Sequence, residues 1–228
     1  MIMALQANHI NKYFYAPDKF QALKDISFEV KKGEFVSIVG KSGCGKSTLL
    51  YILSTMDTAY DGSVQLAGEN ITGKKQDALA AFRNAHLGFV FQFHYLLPDF
   101  SCLKNVMIPA LRLGKLSRAQ IEEQAYEKLT LLGVGHQALK TASRISGGQQ
   151  QRVAIARALI NNPDIVMGDE PTGNLDTRNT AIVFDMLQQL CREQQKTVIT
   201  VTHDNDFAAK SDRIIEMSDG VIVNQHTR

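Results

Sequence analysis

The stretch Gly40-Lys41-Ser42-Gly43-Cys44-Gly45-Lys46-Ser47-Thr48 fits the pattern G-x-x-x-x-G-K-[ST] in full. The chemistry this spacing serves is phosphate binding. Glycines let consecutive backbone N–H groups close around phosphate oxygens, and a helix starting at the loop's end adds partial positive charge. Lys46 is placed to reach the β- and γ-phosphates of a nucleotide, and the Ser47 hydroxyl to ligate Mg²⁺. Far along the chain, Asp169 and Glu170 end the apolar run Ile165-Val166-Met167-Gly168. Carboxylates at the C-terminal end of a buried strand stand where open α/β sheets bind their ligands. Asp169 suits the outer shell of Mg²⁺, and Glu170 suits polarising an attacking water. Alone, two acids would read as the surface end of a strand. Beside a phosphate loop the catalytic reading is preferred.

A second glycine turn, Ile145-Ser146-Gly147-Gly148-Gln149, precedes a helix-forming run from Val153 to Ile160. Ser146 is a natural N-cap for it. Two readings stand: a capped helix behind a glycine turn, or a second anion site at a helix start. On the second reading one chain holds two anion-binding helix starts but only one loop with a lysine. A single nucleotide uses both only where they can meet. A head-to-tail pair of subunits permits this, with the serine-glycine helix of each closing on the nucleotide of the other.

The elements that must position these groups are also legible. Phe35-Val36-Ser37-Ile38-Val39 reads as a buried strand, and Leu49, Leu50, Ile52 and Leu53 as the apolar face of a helix. Residues 1–92 read as strands, the phosphate loop and its helix. Residues 93–145 are helix-rich and are expected to form an inserted subdomain, with Ser117–Leu132 as one helix bearing a solvated charged face. Strand and helix then alternate to the end: Ile165–Met167, Asp176–Glu193, Thr197–Val201, Arg213–Met217 and Val221–Val223.

Composition narrows the function classes. Of 228 residues, 44% are hydrophobic and 21% charged, which is ordinary globular usage. A net charge of +2 supplies no basic field, so no nucleic-acid partner is expected. No apolar run approaches a membrane span, and the N-terminus has no secretory pattern. Cys44, Cys102 and Cys191 are too widely spaced for a zinc site and form no disulfide framework. A reducing cytosol is the expected compartment, with any membrane role exerted through a partner.

In combination the motifs resemble those of the ATP-binding-cassette (ABC) ATPases. Gly40–Thr48 is similar to the family's Walker A motif, Ser146-Gly147-Gly148-Gln149 to its signature, and Ile165–Glu170 to Walker B. Gln92, after Leu87-Gly88-Phe89-Val90-Phe91, resembles the Q-loop glutamine. Asn174-Leu175-Asp176 resembles the D-loop, and His203 the switch histidine. They occur in family order across nearly the whole chain. The resemblance implies an α/β fold: a P-loop NTPase core of RecA type (1–92 and 146–228) with an N-terminal antiparallel β subdomain and an inserted α-helical subdomain (93–145). It implies ATP and Mg²⁺ as ligands and a nucleotide-sandwich homodimer, with ATP between Walker A of one copy and the signature of the other. By position, Gln92 would contact Mg²⁺ and the attacking water and His203 the γ-phosphate, and Asp176 would be among the nucleotide-binding residues. An aromatic near the N-terminus would stack on adenine. Family spacing favours Phe14, and Tyr13 stays open through a one-residue shift. Cys44 stands where serine or alanine is commoner, so a redox brake and a merely small residue both remain open. The chain ends soon after Val223, so no added regulatory domain is expected.

Within the family, Gln92-Phe93-His94-Tyr95-Leu96-Leu97-Pro98-Asp99-Phe100 is similar to the lipoprotein-releasing exporters, except that Tyr95 replaces a histidine. The signature and Walker B regions fit a wider group that includes MacB-type macrolide exporters, DevA-type glycolipid exporters and the FtsE cell-division ATPase. The implied function is ATP hydrolysis that powers lipoprotein release or related extrusion through a transmembrane permease subunit, at the cytoplasmic face of the membrane. Export of another substrate, or signalling without transport, are the alternatives. Half of the apolar cluster Phe93, Tyr95, Leu96, Leu97 and Phe100 is expected to be exposed for a membrane subunit.

Overall fold

The computed structural model describes residues 2–227. Two sheets are stacked. The first is antiparallel, in the order β2-β1-β4-β5, built from β1 (Met3–Phe14), β2 (Phe20–Lys31), β4 (Asp61–Leu66) and β5 (Glu69–Asn70). The second has the order β10-β9-β3-β8-β7-β6. Its strands are β3 (Phe35–Val39), β6 (Leu87–Val90), β7 (Ile165–Asp169), β8 (Thr197–Val201), β9 (Arg213–Ser218) and β10 (Val221–Thr227). All its pairings are parallel except β9 with β10. Strands buried on both faces are nearly continuously apolar, as β3 is apart from Ser37 and β7 is until Asp169.

Alternation along these strands divides the interior into two cores. Val36, Ile38, Ile165, Met167, Ile199 and Val201 face the antiparallel sheet and enclose α1 (Lys46–Leu53). Leu49, Leu50, Ile52 and Leu53 of α1 are fully buried there. Each contributes about 1.5–3 kcal/mol by leaving water. Phe35, Val166 and Val198 point the other way, into a core made with α3 (Cys102–Leu113), α4 (Arg118–Leu131), α5 (Gly147–Leu159) and α6 (Thr177–Gln194). Phe35, Phe184 and Phe207 pack there as a mutual aromatic cluster.

Residues 93–145 contain α3, α4 and two short 3₁₀ turns. Ser101 caps α3 through the Lys104 N–H, and a Ser117–Gln120 capping box starts α4. Both helices pack on α5. Within 1–92 the structure adds a second helix, α2 (Gln76–His86), whose start carries no side-chain cap. Without that signal, a buried face of only Leu79 and Phe82 did not mark it in the sequence. α7 (Asn205–Ala208) is a single turn capped by Asp204.

Candidate active site: a phosphate cleft and a distant second helix start

The phosphate loop joins β3 to α1, as its flanks require. Gly45 takes the N-cap position of α1 with φ 101°, and no side chain caps the helix. Only glycine enters this left-handed conformation without strain. A Cβ there would also stand 2.8 Å from the Ala22 carbonyl oxygen. The first-turn amides of α1 are therefore left for an anion. Lys46 is buried, and its ammonium donates to the carbonyls of Gly40 (2.8 Å) and Lys41 (3.0 Å). Cys44 is also buried, with its Sγ 2.8 Å from where a Gly40 Cβ would stand. A side chain at position 40 would therefore collide with Cys44.

Across the sheet, Ser47 Oγ donates to Asp169 Oδ1 at 2.9 Å. A hydroxyl and a carboxylate paired as hard oxygen donors suit Mg²⁺. Among the described residues no cluster of three His, Cys, Asp or Glu could hold an ion alone. Phosphate and water oxygens would complete its shell. Glu170 has φ 47°, and its amide donates to the Val201 carbonyl at 2.9 Å. Its carboxylate accepts from the His203 backbone N–H at 3.3 Å and lies 2.8 Å from His203 Nδ1. The Glu170 side chain is 14% exposed and that of His203 70%. Asn174 Nδ2 donates to the Gln92 carbonyl at 3.0 Å, tying the loop after β6 to the segment after β7.

One cleft of about 410 Å³ brings together Phe14, Phe20, Ser42, Gly43, Gly45, Lys46, Ser47, Thr48, Gln92, Glu170 and His203. Tyr13 faces a separate hollow with Asn11, Tyr15 and Tyr60, and Lys19 Nζ lies 5.0 Å from its ring. Ser146–Gln149 and Asp176 do not line the cleft.

The ABC transporter family model matches residues 23–173. The chain belongs to the ABC transporter family. Curated relatives of this ABC ATPase include the lipoprotein-releasing system ATP-binding protein LolD of Aquifex aeolicus, 44% identical over 228 residues and covering all of both chains. LolD of Porphyromonas gingivalis is 44% identical over 223 residues, 98% of this chain and all of the relative. Among solved structures, the dimeric post-hydrolysis state of the cassette MJ0796 bound to ADP and Pi matches with a TM-score of 0.91. It is 36% identical and covers 98% of each chain. CbiO1 from Clostridium perfringens, part of the cbiONQ complex, matches at 0.88 and 28% identity, over all of this chain and 89% of that one. The chain is thus an ATP-binding, ATP-hydrolysing cassette with the P-loop α/β fold.

In this ABC ATPase the signature region is built differently from the phosphate loop. Ser146 caps α5 in a capping box. Its Oγ accepts from the Gln149 N–H at 3.4 Å, while Gln149 Oε1 accepts from the Ser146 N–H at 3.0 Å. Gly147 opens to empty space, whereas a Cβ on Gly148 would stand 2.8 Å from Asn179 Oδ1. The Asn179 amide donates to both oxygens of Asp176 at 3.0 Å. These bonds and the Asn179 backbone N–H hold the Asp176 carboxyl below the usual range. Gln151, fully buried, donates to the Pro171 carbonyl at 2.6 Å and so ties α5 to the residue after Glu170.

Phe20 and Ala22 of the cleft lining, and Tyr51 beside Asp169, were not singled out in the sequence. Tyr51 lies one helical turn beyond Ser47, a spacing that places both on one face of α1. Burial raises its phenol pKa, and the nearby Asp169 carboxylate adds to the rise. Phe20 carries no local motif and reaches the cleft only through the register of the β1–β2 hairpin.

Proposed function

We propose that this ABC ATPase powers lipoprotein release as the ATP-binding subunit of a membrane-embedded exporter. The observation that carries this reading is the end-to-end match to LolD proteins at 44% identity. None of the described helices is long and apolar enough to cross a membrane, so a transmembrane permease subunit would hold the chain at the cytoplasmic face. A docking face is available beside Gln92. Phe93, Tyr95, Leu97 and Phe100 are exposed, and only Leu96 packs against the core. That is more than the half expected, and the loop is held by Arg157 of α5, which donates to the carbonyls of His94 and Tyr95.

On this reading Phe14, not Tyr13, stacks on adenine, since only Phe14 lines the cleft. The amides of Gly40–Thr48 and Lys46 hold the phosphates. Ser47 and Asp169 with Gln92 hold Mg²⁺, which when bound screens charge on the β- and γ-phosphate oxygens. Glu170, with His203 fixed against it, orients a water in line with the γ-phosphorus. The new P–O bond forms as the bond to the bridging oxygen breaks, and Glu170 receives the water's proton. Ser146–Gln149 of a second copy covers the γ-phosphate, and Asp176 lies at that interface. Developing charge is thereby held by donors fixed in advance.

The test has two parts. Glu170→Gln with Mg-ATP should form a dimer by light scattering with turnover nearly abolished. A strictly monomeric variant would sink the sandwich. Purification of the tagged chain from membranes should bring down a permease subunit with bound lipoprotein. A drug or glycolipid as cargo, or no cargo, would replace the substrate assignment.

A further inference from the structure

The lining of the phosphate cleft is of two chemical kinds. The loop, Gln92, Glu170 and His203 supply its polar lining, while Phe14, Phe20 and Ala22 supply apolar lining. Phe14 and Phe20 are direct cross-strand partners, the last pair before the turn between β1 and β2. Directly opposed residues of an antiparallel pair project from the same face. Phe14 is 44% exposed and Phe20 60%. Two large rings left in water beside a charged cleft are surface that a flat apolar ligand would cover.

Both rings stand on fixed supports. Lys12 Nζ lies 5.1 Å from the centroid of the Phe14 ring. Lys12 is itself buried and locked to Asp57 at 2.6 Å. Phe20 is carried by β2, whose Ala22 carbonyl and Leu23 side chain press on Gly45 of the phosphate loop. The ring position is therefore tied to the phosphate-binding amides. The side chains of Phe14, Phe20 and Ala22 contain no hydrogen-bonding atom. These three residues offer ring faces and a methyl to a ligand and no side-chain donor or acceptor to its edge.

We propose that Phe20 is a second base-stacking residue, and that it and Phe14 hold the purine ring of a nucleoside triphosphate by stacking without reading its edge. The proposal rests on the nucleotide reading of the cleft and adds a residue and a specificity to it. ATP and GTP are then accepted alike, and smaller pyrimidine rings less well.

Calorimetric titration of the full chain with ATP, GTP, CTP and inorganic tripolyphosphate tests this. The wild type should bind ATP and GTP within about threefold of each other and CTP more weakly, since stacking follows ring area. Phe20→Ala should weaken ATP and GTP about five- to thirtyfold and leave tripolyphosphate unchanged, with the loss of activity appearing in KM. Phe20→Trp should restore binding, which separates stacking from a folding defect. Unchanged ATP affinity in Phe20→Ala overturns the assignment of Phe20. A wild type that separates ATP from GTP by more than about a hundredfold overturns the edge-blind specificity, since that ratio requires hydrogen-bond readout. A wild type that binds tripolyphosphate but no nucleotide overturns stacking alone. Binding of neither overturns the nucleotide reading as well.

Discussion

The two glycine-led helix starts solve the same problem in opposite ways. At α1 the N-cap is a left-handed glycine and no side chain satisfies the first amides. The loop keeps its shape by close backbone packing. A Cβ on Gly40 would stand 2.2 Å from the Met217 carbonyl oxygen. At α5, Ser146 and Gln149 satisfy each other, and the glycine between them and solvent touches nothing. The first start is an anion cradle built wholly by its own chain. The second is self-sufficient and exposed, with its serine hydroxyl proton still free to be donated outward. The contrast teaches that one helix start leaves its first amides open while the other satisfies its own with a capping box.

The largest expected effects break the first region. Lys46→Ala should abolish ATP binding in calorimetry. Glu170→Gln should keep binding while phosphate release falls by about 10²–10³, the scale of losing a group acting on the transition state. Equal loss of binding in both would erase the distinction between cradle and chemistry. Next, Ser146→Ala should lower turnover by about tenfold or more and stability by about 1 kcal/mol through the lost cap, yet leave ATP affinity of the single chain unchanged. A parallel fall in that affinity would mean both helix starts meet one nucleotide within a chain. Gly148→Ala should lower the melting temperature by a few degrees, because the methyl meets Asn179 at 2.8 Å and an overpacked contact costs about 1–3 kcal/mol. Adding Asn179→Ala should recover most of it, and an additive double variant would show that Asn179 is not the obstacle.

The smallest effect concerns the loop after Gln92. Burial holds the pKa of His94 below its usual 6.5, with Arg157 adding to the depression. The unfolded chain therefore takes up the proton first, and stability is lost as pH falls through the unfolded value. Thermal melts between pH 7.5 and 5.5 should show a larger drop for the wild type than for His94→Gln. Identical slopes would remove His94 from the account.

Legibility followed locality. β3, the glycine loop and α1 were readable because the signal lies within twenty consecutive residues, and the N-cap role of Ser146 was readable from Ser-Gly-Gly-Gln. The bond from Ser47 to Asp169 spans 122 positions. It could be anticipated only because two motifs each pointed to the same ion. Phe20 had no such signal, since its place depends on a hairpin register with several shifts. Between Phe14 and Tyr13 family spacing favoured Phe14 but left Tyr13 open, because neighbouring strand residues take opposite faces and a shift of one exchanges them. The exposure of the cluster after Gln92 was also underestimated. Arg157, more than sixty residues away, holds that loop by its carbonyls.

Glu170 occupies a backbone conformation, φ 47°, that side chains other than glycine's enter at a cost of about 1–2 kcal/mol. The fold would rest more easily with a different residue there. Glu170→Gly is accordingly expected to melt above the wild type while hydrolysing nothing. A screen for thermal robustness alone would enrich that lesion. Selection for heat resistance and selection for work pull this position in opposite directions.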